Sequence, residues 1–464
     1  MNSLKNPLIN CGEKNTETGN YLHFVIVFVN IITSRLQYIL NFIGNEIIGE
    51  PFQLTDDVES FRGCNDPKIN YSKTRISNFE FRISNFELLF ETGIKEQIIE
   101  CFETNGYKAF FKTEGDFFFD IFAACFYLLS RYEEYLPHQK DMYGRYAHEN
   151  SLAFKENFLH LPLINIWLED FKKSLQVKFP GFITLHRSPF GHHSSFTFIP
   201  TYDIDEAYSY KYKQWWRIMG GFANSVVRGQ WSKISERINV LLGNRKDPYD
   251  AFDWINQLNR NYDLKPVYFF LIAARTAKYD KNILPSKNSM QRLIQEHSNL
   301  YSIGIHPSWQ TEDDVEKLKF EILKLGHITG KQIHSSRQHY IRLTLPGTYR
   351  RLIDSDIKCD FSMGYGSING FRASIASSFY WYDPEKEEQT SLLIYPFCFM
   401  DANSFYEQKL SQQQALEELT HYYNIVRSVN GMLITIWHNN FLGTGELFKG
   451  WKETYEHFVS LVKH

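Results

Sequence analysis

Four short runs in the second half of the chain place side chains capable of acid, base or metal chemistry directly after apolar or alternating stretches. The first is Thr201-Tyr202-Asp203-Ile204-Asp205. Two-residue spacing puts both carboxylates on one side of an extended strand. Such a pair suits a metal ligand beside a general base, or else a solvated cap on the next segment. The second run is Ser302-Ile303-Gly304-Ile305-His306-Pro307, where the histidine ends a short apolar strand and Pro307 stops the pairing. Imidazole suits zinc and similar ions, although a histidine there also serves as a plain polar terminus. In the third, Ser336-Arg337-Gln338-His339-Tyr340, a permanent guanidinium can hold a carboxylate and fix its ionisation. His339 offers a second nitrogen ligand; the alternative is a core salt bridge with His339 solvated. The fourth, Ile434-Thr435-Ile436-Trp437-His438, ends in a histidine beside an indole, suited to a general acid or to a hydrogen-bonded core position. Asp401, after Tyr395-Pro396-Phe397, could orient His438 or cap a helix.

Residues this far apart in sequence meet only if the elements carrying them lie side by side. From residue 194 onward the pattern alternates strands and helices: a strand over 194–205, a helix near 248–262, a strand over 265–274, a helix near 289–297 and a strand over 301–306. A helix over 313–325 stopped by Gly326, a strand over 332–337, a strand at 395–397 and a helix opened by a Ser411/Gln414 capping box follow. Gly431 ends that helix before the final strand, Met432–His438. Strand-helix alternation implies parallel strands, and a parallel barrel or sheet gathers its reactive side chains at the carboxyl ends of its strands. Asp, His, Arg and His all fall at such ends.

The first part of the chain reads differently. Residues up to about Gly19 are polar and are expected to be loose; a strand is expected over 21–32, then a helix carrying Leu36, Ile39, Leu40, Ile43 and Ile47 and closed by Gly49. Residues 75–81 and 82–88 form a tandem seven-residue duplication, read as a local insertion in a strand or loop. Phe117–Leu136 reads as one buried helix with Asp120, Arg131, Glu133 and Glu134 as its polar face. Pro180-Gly181 and the polar stretch through His192-His193 mark a boundary, with those histidines taken as solvated. Two domains are therefore expected, 1–190 and 191–464.

Composition narrows the function. Fifty basic against 53 acidic residues give a net charge of -3, which removes the global electrostatic reason to expect a nucleic-acid or anionic-membrane binder and leaves only a local basic patch open. The six cysteines form no C-x-x-C pair, so neither zinc ribbon nor disulfide framework is indicated. The apolar stretch near residue 21 is shorter than the roughly 20 residues a membrane span needs and lacks the flanks of a signal peptide, which favours a cytoplasmic protein. The 39 Phe and 28 Tyr can fill cores or stack on sugar rings.

The order of motifs over about 194–464 resembles the NodB-homology polysaccharide deacetylases, metal-dependent carbohydrate esterases that remove N-acetyl groups. The resemblance implies a distorted, incomplete (β/α) barrel, preceded here by a smaller α/β domain like the uncharacterised module of Bacteroidetes deacetylase-like proteins. It implies Asp203 as base, Asp205 and His306 as ligands of a divalent metal such as zinc, Arg337 as the residue orienting Asp203, and His438 as acid. Tyr340, Trp437 and Asp401 would bind or orient a carbohydrate substrate. The family's second metal histidine falls at Gln310, a poor zinc ligand, and a histidine stands where its arginine motif has proline. Either His339 completes the site, or a water fills the place, or the metal site has decayed; the histidine in the arginine motif makes His339 the candidate third ligand. The implied activity is de-N-acetylation of an N-acetylhexosamine glycan or its lipid- or nucleotide-linked precursor; the alternatives are a degenerate carbohydrate-binding or assembly factor and another metal-dependent amidase acting on a small cyclic or linear amide.

Overall fold

A computed structural model describes residues 24–85, 87–181, 196–311 and 313–463. The loose start and His192-His193 lie outside the described residues. The chain forms two compact units that interleave along the sequence: residues 1–137, 162–196 and 373–390 make the first, and residues 138–161, 197–372 and 391–464 make the second.

The first unit is built on four parallel strands in the order Gln53–Thr55, Ile26–Val29, Lys68–Tyr71, Phe81–Arg82. The helix Ser34–Ile48 crosses between the first two strands in the chain, and Gly49 ends it in the left-handed conformation at φ 79°. The strand expected over 21–32 is shorter, because the chain bends at Asn30 and Ile31 and pairing ends at Val29, leaving Ile31 and Ile32 exposed. The expected long helix is also cut back. Asp120 caps a helix of only Ile121–Leu129, and Arg131, at φ 55°, breaks it before a short 3-10 turn over Tyr132–Tyr135. Its supposed polar face is buried: Arg131 binds Glu133 at 2.7 Å and Glu134 at 2.8 Å, so the charges are satisfied by one another inside the unit. The duplicated heptads take different local structures: the first is loop and turn up to the strand that begins at Phe81, whereas the second begins in that strand at Arg82 and ends in the 3-10 turn Glu87–Phe90.

One half-buried acid in this unit, Glu46, resists ionisation. Glu46 accepts a hydrogen bond from Ser377 at 3.1 Å, while its second oxygen is buried without one. Burial outweighs Lys172 and the Ser377 hydroxyl and raises the carboxyl from 4.5 to about 7. Unfolded chain ionises at the lower value, so this group's share of stability is present in acid and is lost as pH rises through that window. Glu46→Gln is expected to stabilise the protein by about 1–2 kcal/mol near pH 8 and by almost nothing near pH 4. Denaturant unfolding at both pH values checks this; a variant less stable than the parent at the higher pH contradicts it.

The second unit carries parallel strands in the order Glu388–Ile394, Cys359–Asp360, Ser335–Ser336, Ser302–His306, Val267–Leu271, Thr197–Ile204, Met432–His438, Phe399–Met400. Helices such as Phe252–Asn261, Asn288–Leu300, Val315–Thr329 and Gln412–Ser428 connect them, which is the mixed α/β class expected. Glu388–Ile394 and Phe399–Met400 do not pair with each other among the described residues. The helix expected to stop at Gly326 runs through it to Thr329, and Gly330, at φ 68°, makes the cap instead. The strand expected over 332–337 is reduced to Ser335–Ser336, and 395–397 lies between two strands. The Ser411/Gln414 capping box forms as read. A helical pair at Trp215–Val227 and Trp231–Leu241 had no counterpart in the sequence reading.

Candidate metal centre

Register decides which side chains meet. Asp203 is level with His438 on one neighbouring strand and with Phe269 on the other, Leu271 is level with His306, and Ile305 with Ser336. The carboxyl ends of four strands therefore bring Asp203, Asp205, His306, Arg337, His339 and His438 to one place. A glycine is needed beneath them: a Cβ on Gly304 would lie 2.4 Å from the Phe269 ring. That ring underlies the Arg337 guanidinium at 4.6 Å.

Asp205, His306 and His339 offer ligand atoms that all lie within 4.8 Å of one another. His306 Nε2 is 3.0 Å from Asp205 Oδ1, and His339 Nε2 is 3.4 Å from Asp205 Oδ2. Ligand atoms about 2.1 Å from one tetrahedral ion are roughly 3.4 Å apart, so these separations fit. Asp205 Oδ1 is buried with no hydrogen-bond partner despite the nearby imidazole, as expected for donors that face a common cation rather than each other. The other ring nitrogens are held from behind. His306 Nδ1 meets the Arg337 carbonyl at 2.5 Å and His339 Nδ1 meets Asp280 at 3.3 Å. Such backing orients a metal-binding imidazole and sets its tautomer.

Charge in the cluster is shared unevenly. Burial alone would raise the Asp205 carboxyl, but the imidazoles of His339 and His306 hold it well below its ordinary range. Burial likewise works against a charged His339; Asp205 and Asp280 overcome it and push the imidazole up to about 9. A cation would have to displace that proton.

Asp203 lies next to this cluster and is almost fully buried, with Arg337 Nη1 3.0 Å from its Oδ1. The same nitrogen donates to Thr201, and Arg337 Nε donates to the Phe361 carbonyl at 3.0 Å, so the guanidinium is fixed by three partners. On the opposite side, His438 Nε2 is 3.5 Å from Asp205 Oδ2. Its Nδ1 is 2.6 Å from Asp401, which also accepts the His438 backbone N–H at 2.7 Å. Asp401 thus orients His438. Burial opposes the imidazolium, yet Asp401, with smaller help from Asp205 and Asp203, raises it to about 10. Asp401→Asn is expected to lower that pKa by at least about two units. Titration of the His438 ring by NMR reads this directly, and an unmoved pKa would remove Asp401 from the role.

Trp437 does not belong with these residues. It is fully buried and packs 4.5 Å from Tyr455, because strand alternation turns it to the face opposite its neighbour His438. Tyr340 does border the site, its ring 4.7 Å from that of His339, with a backbone φ of 58° that is costly for a tyrosine. The Arg145 guanidinium holds the Tyr340 carbonyl at 2.7 Å. Gln310 is not a ligand: its amide spans Arg275 and Asp280, donating to the latter at 2.9 Å.

Asp280 is the functional residue the sequence reading missed. It joins His339, Gln310 and the Trp309 backbone N–H, which it accepts at 2.8 Å. It lies nine residues beyond the strand Val267–Leu271, in a polar loop with no strand-end position to mark it. Trp309 stacks on Tyr279 at 4.1 Å, and Tyr143 and Tyr340 complete a half-buried aromatic rim.

Fold and side chains together define an α/β protein with a candidate Asp-His-His metal centre at the carboxyl ends of parallel strands. Comparison with known proteins gives the following. The model of a family described as a family of unknown function (DUF7033) matches residues 25–180, a stretch that includes Tyr143 and Arg145 at the rim but none of Asp203, Asp205, His306, Arg337, His339 and His438. No curated protein matches the chain. Among solved structures, an allantoinase is similar with a TM-score of 0.37 at 12% identity, over 58% of this chain and 84% of its own. A polysaccharide deacetylase from Bacillus cereus has a TM-score of 0.29 at 10% identity, over 57% and 87%. A mutant of a CE4 family pseudoenzyme has a TM-score of 0.31 at 7% identity, over 59% and 64%.

Proposed function

We propose that the second unit is a metal-dependent hydrolase of the polysaccharide deacetylase type, with a (β/α) barrel architecture, that removes N-acetyl groups from an N-acetylhexosamine-containing glycan or its precursor. The observation that carries this reading is the convergence of Asp205, His306 and His339 donor atoms between two further groups, Asp203 and His438. Two imidazoles and a carboxylate favour zinc among divalent ions. Bound there, the ion would supply Lewis-acid polarisation of the acetamido carbonyl and lower the pKa of water.

The chain's own residues do the rest. Asp203, held by Arg337, accepts the proton of the attacking water. A backbone N–H near Tyr340 would donate to the oxygen on which negative charge develops. His438, kept protonated by Asp401, gives its Nε2 proton to the departing amine, which would otherwise leave as an anion. The aromatic rim of Trp309, Tyr279 and Tyr143 borders the site and offers ring edges to a sugar, the faces of Trp309 being covered by Tyr279 and the Arg342 guanidinium.

The test is acetate release from acetylated chito-oligosaccharides with added zinc or cobalt, set beside binding of the same sugars. Release supports the hydrolase. Binding without turnover at full metal occupancy favours the carbohydrate-binding alternative.

A further inference from the structure

The helical pair Trp215–Val227 and Trp231–Leu241 is poorly covered by the unit that carries it. Ser225 is the buried residue of the first helix and Val240 that of the second. In an ordinary surface helix the apolar stripe faces the core. Here Trp215, Met219 and Val226, which share one face by helical spacing, are 73%, 59% and 52% exposed. At the two ends of the second helix, Trp231 and the capping residue Leu242 are 68% and 70% exposed. Trp216 is exposed as well, so all three tryptophans with open indoles among the described residues sit on this pair.

The pair is nonetheless a built element. Arg237 reaches under the first helix, donates to the Ile218 carbonyl at 3.0 Å and lies 5.1 Å over the Phe222 ring. Gly221 makes room for it, because a Cβ there would lie 1.7 Å from the guanidinium. The base is tied to the loop after Asp205: Lys213 pairs with Glu206 at 2.5 Å, and Arg217 donates to the Lys281 carbonyl at 2.8 Å, next to Asp280.

Charge selects the occupant. Residues 211–246 hold eight Lys or Arg and one Glu; of these Lys213 and Arg217 pair with Glu206, Arg245 with Glu236, and Lys246 with Asp250 and Asp253. Arg228 and Lys233 are exposed and have no ion-pair partner among the described residues. A second copy of this chain would bring like charge against like. Helices of 13 and 11 residues are too short to span a bilayer. Tryptophans on an apolar stripe flanked by basic side chains match instead the interface of an anionic lipid surface.

We propose that this hairpin docks the protein on membranes rich in anionic phospholipid, its apolar stripes entering the headgroup boundary while Arg228, Lys233 and their neighbours meet lipid phosphates. Docking would hold the rim of the Asp205 site at the lipid surface, where a lipid-linked glycan is presented. The docking itself is independent of the hydrolase reading, since it needs neither metal nor turnover.

The experiment is co-sedimentation of the full chain, with chelator present, on vesicles of phosphatidylcholine alone and of phosphatidylcholine and phosphatidylglycerol in equal parts. Wild type is expected to pellet with the anionic vesicles only, and to be released by salt. Trp215→Ala/Trp216→Ala/Trp231→Ala should weaken binding at least about tenfold, and Arg228→Glu/Lys233→Glu by a similar factor. Thermal unfolding confirms that the variants fold; should one fail, a blue shift of wild-type tryptophan emission on anionic vesicles is required in its place. Wild type that stays in the supernatant, a folded triple variant that pellets like wild type, or a wild-type dimer made monomeric by the triple variant with no vesicle binding would each overturn the proposal.

Discussion

Asp203→Asn is expected to lower acetate release roughly a thousandfold while bound metal stays at the wild-type level. The asparagine is nearly isosteric, so it keeps a carbonyl oxygen toward Arg337 Nη1, but it has no basic oxygen to take a proton. Asp203 also lies outside the ligand cluster: its Oδ2 is 3.8 Å from His306 Nε2, whereas Asp205 Oδ1 is 3.0 Å from the same atom. Turnover and metal content should therefore separate in this variant. Steady-state rates paired with elemental analysis decide it; activity near wild type would take the base role from Asp203. Arg337 variants are less informative, because removing a fully buried guanidinium leaves the buried Asp203 carboxylate without its cation and unsettles the fold as well.

His339→Ala is expected to empty the centre as thoroughly as Asp205→Asn does. Of the three donors, His339 is the one the family pattern does not supply, since Gln310 occupies the corresponding position and turns its amide to Arg275 and Asp280. Asp280→Asn should weaken the metal about 10- to 100-fold by loosening the imidazole's support. Because His339 holds a proton up to about 9, and a ligand imidazole must be neutral, uptake should release a proton and tighten as pH rises. Calorimetric titration with zinc in buffers of different ionisation enthalpy measures both effects. Full metal retention in His339→Ala, alongside loss in Asp205→Asn, would sink the assignment of the third ligand.

Much of the centre is legible in sequence for a simple reason. Parallel strands put their carboxyl ends on one rim, so a polar residue closing an apolar run is marked by position alone; Asp203, His306 and His438 carry that mark. Trp437 shows the limit of the same logic, since adjacency in a strand places two side chains on opposite faces. Asp280 carries no mark at all. Its role comes from a loop that returns to His339, a contact across 59 residues that no local period encodes. Helix Ile121–Leu129 fell short of its apolar run because Arg131 found Glu133 and Glu134 as buried partners, which hydropathy cannot foresee.

The amino-acid sequence by itself determined the α/β alternation, the capping of individual helices and the residue types at the strand ends, because these depend on spacing, propensity and turn chemistry within a few residues. Tertiary structure alone decided which donors face one another, how Asp280, Gln310 and Asp401 back the imidazoles, and that the basic hairpin leaves its tryptophans uncovered. Those are matters of register and packing between distant segments, and they are settled only when burial of the whole sheet fixes which strand lies beside which.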